Sequence, residues 1–137
     1  MPLQSREPTF HRNADVVGLG INNPKNVDRG SPPRAKLKNF RPRQEKETGR
    51  LALSSFCLDN LDDNARWALL DTVSSNAPNP ARAELKVSHI ESIGLSADPD
   101  WHPERHVNII DWPAEEDAQT SLTQSLYANQ ALCTRTV

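Results

Sequence analysis

Prolines stand at positions 2, 8, 24, 32, 33 and 42, and each fixes φ and removes a backbone donor. The first 48 residues are otherwise rich in Arg, Lys and Asn and poor in large apolar side chains. Such a stretch buries too little to offset its ordering entropy, so it reads as an extended arm over residues 1–48, leaving 49–137 to fold. One apolar patch interrupts the arm. Asp15-Val16-Val17-Gly18-Leu19-Gly20-Ile21 is able to form a short strand or a docking segment, and Asn22-Asn23-Pro24 then reads as a turn.

Charge divides the chain at the same place. Up to Arg50 there are eleven Lys and Arg against five Asp and Glu, and beyond it five against thirteen, in a chain whose formal net charge is −2. This polarity fits a basic arm laid over an acidic body, or an arm offered to an acidic macromolecule. Within the arm, Arg34, Lys36, Lys38, Phe40, Arg41 and Arg43 are the residues placed to meet such a partner, the cations tracking negative charge and Phe40 supplying a stacking ring. A protein partner is expected before a nucleic acid, because the whole-chain pI of about 6.1 is far from that of a dedicated nucleic-acid binder.

Beyond Gly49 the periodicity is that of a small α+β domain, with two helices packed on a short, mainly antiparallel sheet. Leu51 to Leu58 is an apolar run of strand length. Asp59 or Asn60 can cap a helix running to about Ser75, with Leu61, Ala65, Ala68, Leu69 and Val73 on its inner face. Arg82 to Ser88 alternates strictly, with Ala83, Leu85 and Val87 on one side. Residues 98–105 have loop composition, His106 to Trp112 reads as a second strand, and Pro113 opens a last helix reaching about Leu132, followed by a fraying tail.

Nothing in the chain resembles a membrane span or a secretory leader, so a cytoplasmic location is expected. No cofactor fingerprint is complete. Gly18-Leu19-Gly20 lacks the third glycine of a dinucleotide loop, and His102-x-x-x-His106 carries Pro103 where a zinc-protease motif needs Glu. Cys57 and Cys133 form no C-x-x-C pair, and Ser54-Ser55 lacks the glycines of a nucleophile elbow.

The densest set of reactive side chains lies between Asp98 and Trp112. On a strand from His106, the imidazole shares a face with Asn108, and a histidine so placed is a general acid or base near neutral pH. Its carboxylate or nucleophile has to come from elsewhere, with Glu84 foremost and Glu91, Ser54 and Ser55 as the other suppliers. The expectation is thus a non-catalytic accessory protein binding through arm and body. The alternative is a small enzyme or ligand-binding protein with a pocket near Trp101–Trp112, using His106, Asn108 and Glu84.

Overall fold

The computed structural model describes residues 15–74, 78–100 and 103–135. Its central sheet is built around two strands that the sequence places on opposite sides of the arm–body boundary. Strand β1 (Val16–Ile21) lies between β5 (Leu51–Cys57) and β6 (Ala81–Lys86), antiparallel to both. Beyond β5 come β8 (His106–Ile110) and then β7 (Ser96–Pro99), while β9 (Ala131–Thr134) closes the other side against β6. The two-residue strand β4 (Arg43–Gln44) adds to β5, making a seven-stranded antiparallel sheet. A separate two-stranded ladder joins β2 (Val27–Asp28) to β3 (Arg34–Ala35).

Side-chain alternation divides the sheet into two unlike faces. On one face the odd-numbered residues Val17, Ile21, Leu53, Ala83, Leu85, Val107 and Ile109 are all buried and join one hydrophobic cluster. Ile90 of helix α2 (Val87–Ser92), Leu126 of helix α3 (Glu116–Asn129) and Phe40 complete it. On the other face β1 offers Gly18 and Gly20, and helix α1 (Asp63–Val73) settles there with Trp67 and Leu70 buried. Asp62 starts α1 by accepting from the Ala65 amide at 2.8 Å, an N-cap two or three residues later than the expected Asn60 or Asp59. Asp59 instead accepts from the amides of Asp15 and Val16 at 2.8 and 3.0 Å, pinning the entry to β1.

The α+β class and the mainly antiparallel sheet are as the periodicity predicts, but three features differ. The first is the arm. Residues 15–44, expected outside the core, supply the central strand β1 and the fully buried Ala35 and Phe40. They achieve this by borrowing from α3 and the residue after it. The Gln130 amide bonds both the N–H and C=O of Ala35 at 2.7 and 2.9 Å, Thr123 donates to the Phe40 carbonyl, and Tyr127 donates to Asp28 at 2.9 Å. A segment poor in apolar residues is thereby ordered through side chains some ninety positions away. Residues 1–14 of the expected arm lie outside the described residues.

The second is a third helix. The strictly alternating strand ends at Lys86, and Val87 and Ile90 follow at helical rather than strand spacing. The third is at the end: α3 stops at Asn129, and Ala131–Thr134, expected as helix and frayed tail, pair with β6.

A charged lattice fastens α1 to β6 and to Arg135. Arg82, only 4% exposed, donates to Glu84 and to Asp63 at 2.7 Å and lies 4.5 Å over the Trp67 ring. Its Nη1 finds no acceptor, so the indole face is part of what compensates the buried guanidinium. Arg135 also sits over the Trp67 ring, at 4.2 Å, and reaches Asp71 at 2.7 Å. Burial alone would raise the Asp71 carboxyl, but the bonds from Arg135 and Asn79 outweigh it and hold it below the ordinary carboxylate range.

Two outcomes follow from this packing. A Cβ built on Gly18 would lie 2.4 Å from Cδ1 of Leu58, which is fully buried and has nowhere to retreat. Gly18→Ala is therefore expected to destabilise by roughly 1–3 kcal/mol in urea unfolding. At Gly30, where the nearest atom is 3.5 Å away, the same change should stay within about 0.5 kcal/mol. Because the folded Asp71 pKa is depressed, its stabilisation is complete above the unfolded value and is lost as pH falls through the folded one. Unfolding free energies of the wild type and Arg135→Met should accordingly differ at neutral pH and draw together in acid.

Candidate active site

The hydrogen-bonding edge of β5 that faces β1 is shared between two partners. Backbone groups of even-numbered residues point to this edge: Arg50 accepts from the Glu45 amide at 2.9 Å at one end, and Leu58 donates to Val16 at 3.0 Å at the other. Odd-numbered residues point to the β8 side, as the bond from the Cys57 amide to Arg105 shows. Along the shared edge β4 pairs with Leu51 and Ala52, and β1 pairs with Phe56 and Cys57. Ser54 lies between them, with no strand opposite it on that side, and its peptide N–H is directed into the gap.

A cleft of about 730 Å³ opens at this gap. Gly20 and Ile21 of β1, Leu70 of α1, Ser54, Arg41 and Arg43 are among the residues lining it. Asn108 lines it too, and also a second hollow of about 390 Å³ that reaches Asp100 beneath the turn over residues 45–50. Arg50 holds that turn down through Glu45 at 2.7 Å and Asp98 at 3.1 Å.

Ser54 pairs in register with Asn108, and Phe56 with His106, so on the even face Ser54 and His106 are diagonal cross-strand neighbours. Ser54 Oγ lies 2.6 Å from His106 Nε2. On the far side of the ring, His106 Nδ1 lies 2.7 Å from Asp100 Oδ1. The other oxygen of Asp100 accepts from Asn108 Nδ2 at 3.0 Å, which fixes the carboxylate plane. Phe56 packs edge-on to the imidazole with centroids 5.1 Å apart. The imidazole is 12% exposed while Asp100 keeps 41%, so the ring is largely withdrawn from water and its carboxylate is not.

The tautomer follows from this arrangement. An ionised Asp100 only accepts, so in neutral His106 the hydrogen belongs on Nδ1, and Nε2 is left to accept from the Ser54 hydroxyl. A hydroxyl, an imidazole and a carboxylate in hydrogen-bonded series are the parts of an activated serine nucleophile, recognised by geometry and not by chain order. The thiols offer no rival nucleophile: burial pushes both Cys57 and Cys133 above the ordinary thiol range.

Of the residues the sequence proposes, His106 and Asn108 belong to this cluster, and Ser54, one of the suppliers considered, completes it. Glu84 does not. It occupies the same sheet face but on β6, two strands away, where Arg66 and Arg82 hold it at 2.9 and 2.7 Å. Glu91 is exposed on α2. The orienting carboxylate is Asp100, which stands just past β7 and folds back over His106 through the β7–β8 hairpin. His102, the other histidine of the His102-x-x-x-His106 spacing, lies outside the described residues, among which no three His, Cys, Asp or Glu side chains group to hold a metal.

The proposed partner-binding residues separate. Phe40 is fully buried, and Arg34 lies 5.7 Å over the Tyr127 ring. Lys36, Lys38, Arg41 and Arg43 are exposed, the last three on the cleft. No helix among the described residues is long and apolar enough to cross a membrane.

No family model, no curated protein and no solved structure matches this chain.

The hydrogen-bond series has a spectroscopic consequence. In the neutral imidazole the ¹⁵N shifts of His106 should report the Nδ1–H tautomer, and Asp100→Asn, whose amide can also donate to the ring, should move them toward the Nε2–H form. Unchanged shifts in Asp100→Asn would mean that the carboxylate does not set the tautomer.

Proposed function

We propose that the chain is a small enzyme acting by nucleophilic acyl transfer, with Ser54 as nucleophile, His106 as general base and acid, and Asp100 as the group that orients and stabilises the imidazolium. Asn108 acts as a positioning residue through Asp100. The reading rests on one observation, the continuous hydrogen-bond series from Ser54 Oγ through both ring nitrogens of His106 to Asp100.

In the first half-reaction Ser54 Oγ adds to a substrate carbonyl carbon as its proton passes to His106 Nε2. His106 then gives that proton to the departing alcohol or amine, leaving an acyl ester on Ser54. Water repeats the sequence in the second half: His106 takes its proton, the acyl–oxygen bond to Ser54 breaks, and the proton returns to Oγ as the acid leaves. The Ser54 N–H, facing the cleft and opposed by no strand, is a fitting donor for the oxyanion that develops at each step.

Hydrolysis of 4-nitrophenyl acetate and labelling by a fluorophosphonate test this directly. Ser54→Ala should abolish both and His106→Ala should lower turnover roughly 10²–10⁴-fold, with both variants still unfolding cooperatively. Turnover that survives Ser54→Ala, or a fluorophosphonate adduct mapped to another residue, sinks the assignment.

A second reading, the docking of an acidic macromolecule, is favoured by the exposure of Lys36, Lys38, Arg41 and Arg43. It expects polyanion binding that falls steeply with added salt and is indifferent to Ser54→Ala.

A further inference from the structure

The nucleophile reading leaves unexplained why the wall facing Ser54 carries positive charge. Arg43 pairs with Ala52, and Gln44 with Leu51, across the β4–β5 ladder. Continued back two residues, this register brings Arg41 opposite Ser54, on the side where no strand closes the sheet. Arg41 has extended backbone, φ −81° and ψ 136°, and Pro42 separates it from Arg43, so along an extended chain both side chains fall on the sheet face that carries Ala52 and Ser54. Lys38, in the 3₁₀ turn Leu37–Phe40 that leads into this segment, lines the same cleft.

None of these three cations enters an ion pair among the described residues, in a molecule whose other arginines are often paired. Arg50, Arg66, Arg82 and Arg135 each hold a carboxylate. Among the described residues the one carboxylate lining the cleft is Glu45, and Arg50 occupies it at 2.7 Å. The remaining named wall is made of neutral groups, among them Asn22, Gln44 and Asn108. The cleft therefore presents uncompensated positive charge beside a nucleophile, within walls that focus it.

We propose that the cleft takes substrates carrying an anionic group, a carboxylate or phosphate on the acyl side, held by Arg41 and Arg43 with Lys38 at the rim. As a substrate subsite the assignment rests on the Ser54 reading. Arginine suits the task because its planar fork meets either anion with two parallel hydrogen bonds. An anionic acyl group anchored there would set its carbonyl over Ser54 and direct the leaving group away from the cations.

The test compares 4-nitrophenyl acetate with 4-nitrophenyl hemisuccinate on the full chain, alongside calorimetric binding of succinate and of uncharged succinamide. The expected result is a kcat/KM for the hemisuccinate at least tenfold above that for the acetate, a preference that shrinks with salt, and succinate binding that succinamide does not share. The double variant Arg41→Gln/Arg43→Gln should erase the preference and weaken succinate binding at least tenfold. Lys86→Gln, which removes an exposed cation away from the cleft, should do neither. Turnover of both esters with no charge preference and no salt-sensitive succinate binding overturns the anionic subsite and leaves the nucleophile standing. Charge-dependent succinate binding without Ser54-dependent turnover of the neutral ester overturns the nucleophile, and the role as a substrate subsite goes with it.

Discussion

One edge of one strand must satisfy two partners, and the architecture of the cleft depends on how it does so. β5 is seven residues long, and along the edge away from β8 it pairs with β4 at its start and with β1 at its end. A sheet in which β1 ran alongside β5 for its full length would close the gap, and Ser54 would be one more surface hydroxyl on a finished ladder. Instead β1 stays with β6 for six positions and leaves β5 after two. Right-handed sheet twist makes divergence of this kind easy, and the β4 segment props it open. The candidate chemistry is thus a consequence of interrupted pairing: it sets the backbone of Ser54 toward the cleft while β8 continues to hold His106 in place from the other side.

The two faces of the sheet have different means of cohesion. The odd face is a continuous apolar cluster in which burial does most of the stabilising. The even face has little apolar surface: Gly18 leaves room for the fully buried Leu58, Gly20 leaves room for the side chain of Asn79, and α1 buries its own Leu70 on this side. Around them the guanidiniums of Arg82 and Arg135 flank the indole of Trp67 and are answered by Asp63, Glu84 and Asp71. Removing one member would strand its partner in a poorly solvated place, so this network contributes more to keeping one arrangement of α1 than to net stability. On the same face, the part covered by α1 is locked by charge pairs, the cleft opens along the β1-facing edge of β5, and the histidine lies on β8 at the other edge of that strand.

Local period is a good guide where one apolar pattern runs the length of an element without another element's pattern overlapping it. β5, β8, α1 and α3 stand where apolar spacing puts them, to within a few residues. The G-x-G of β1, which fails as a cofactor fingerprint, has a packing reason that no spacing discloses, because the residue it accommodates, Leu58, arrives from forty positions away. Ala35 and Phe40 were illegible for the same cause: their order depends on Gln130, Thr123 and Tyr127. α2 and β9 are short, and each is masked by the pattern of the element before it. In the site, strand parity correctly puts His106 and Asn108 on one face and admits Ser54. It admits Glu84 equally well, since parity tells which face a residue takes and not which strands are neighbours. Asp100 is one of several carboxylates between Asp98 and Trp112, and only the hairpin reveals that it returns over the imidazole.

The position of β6 bears on how the chain can be made. Its two neighbours are β1, the first described strand, and β9, the last, so β6 joins the two ends of the described sheet, and the pairing that completes it spans about fifty residues. During vectorial synthesis β6 would leave the ribosome with β1 already waiting, yet its outer edge would remain bare until residues 131–135 followed. In that interval the sheet exposes an unsatisfied strand edge and α1 lacks the grip of Arg135, a state open to mispairing with other nascent chains. Closure by a four-residue strand makes completion of the sheet wait on residues that follow the elements bearing Ser54 and His106.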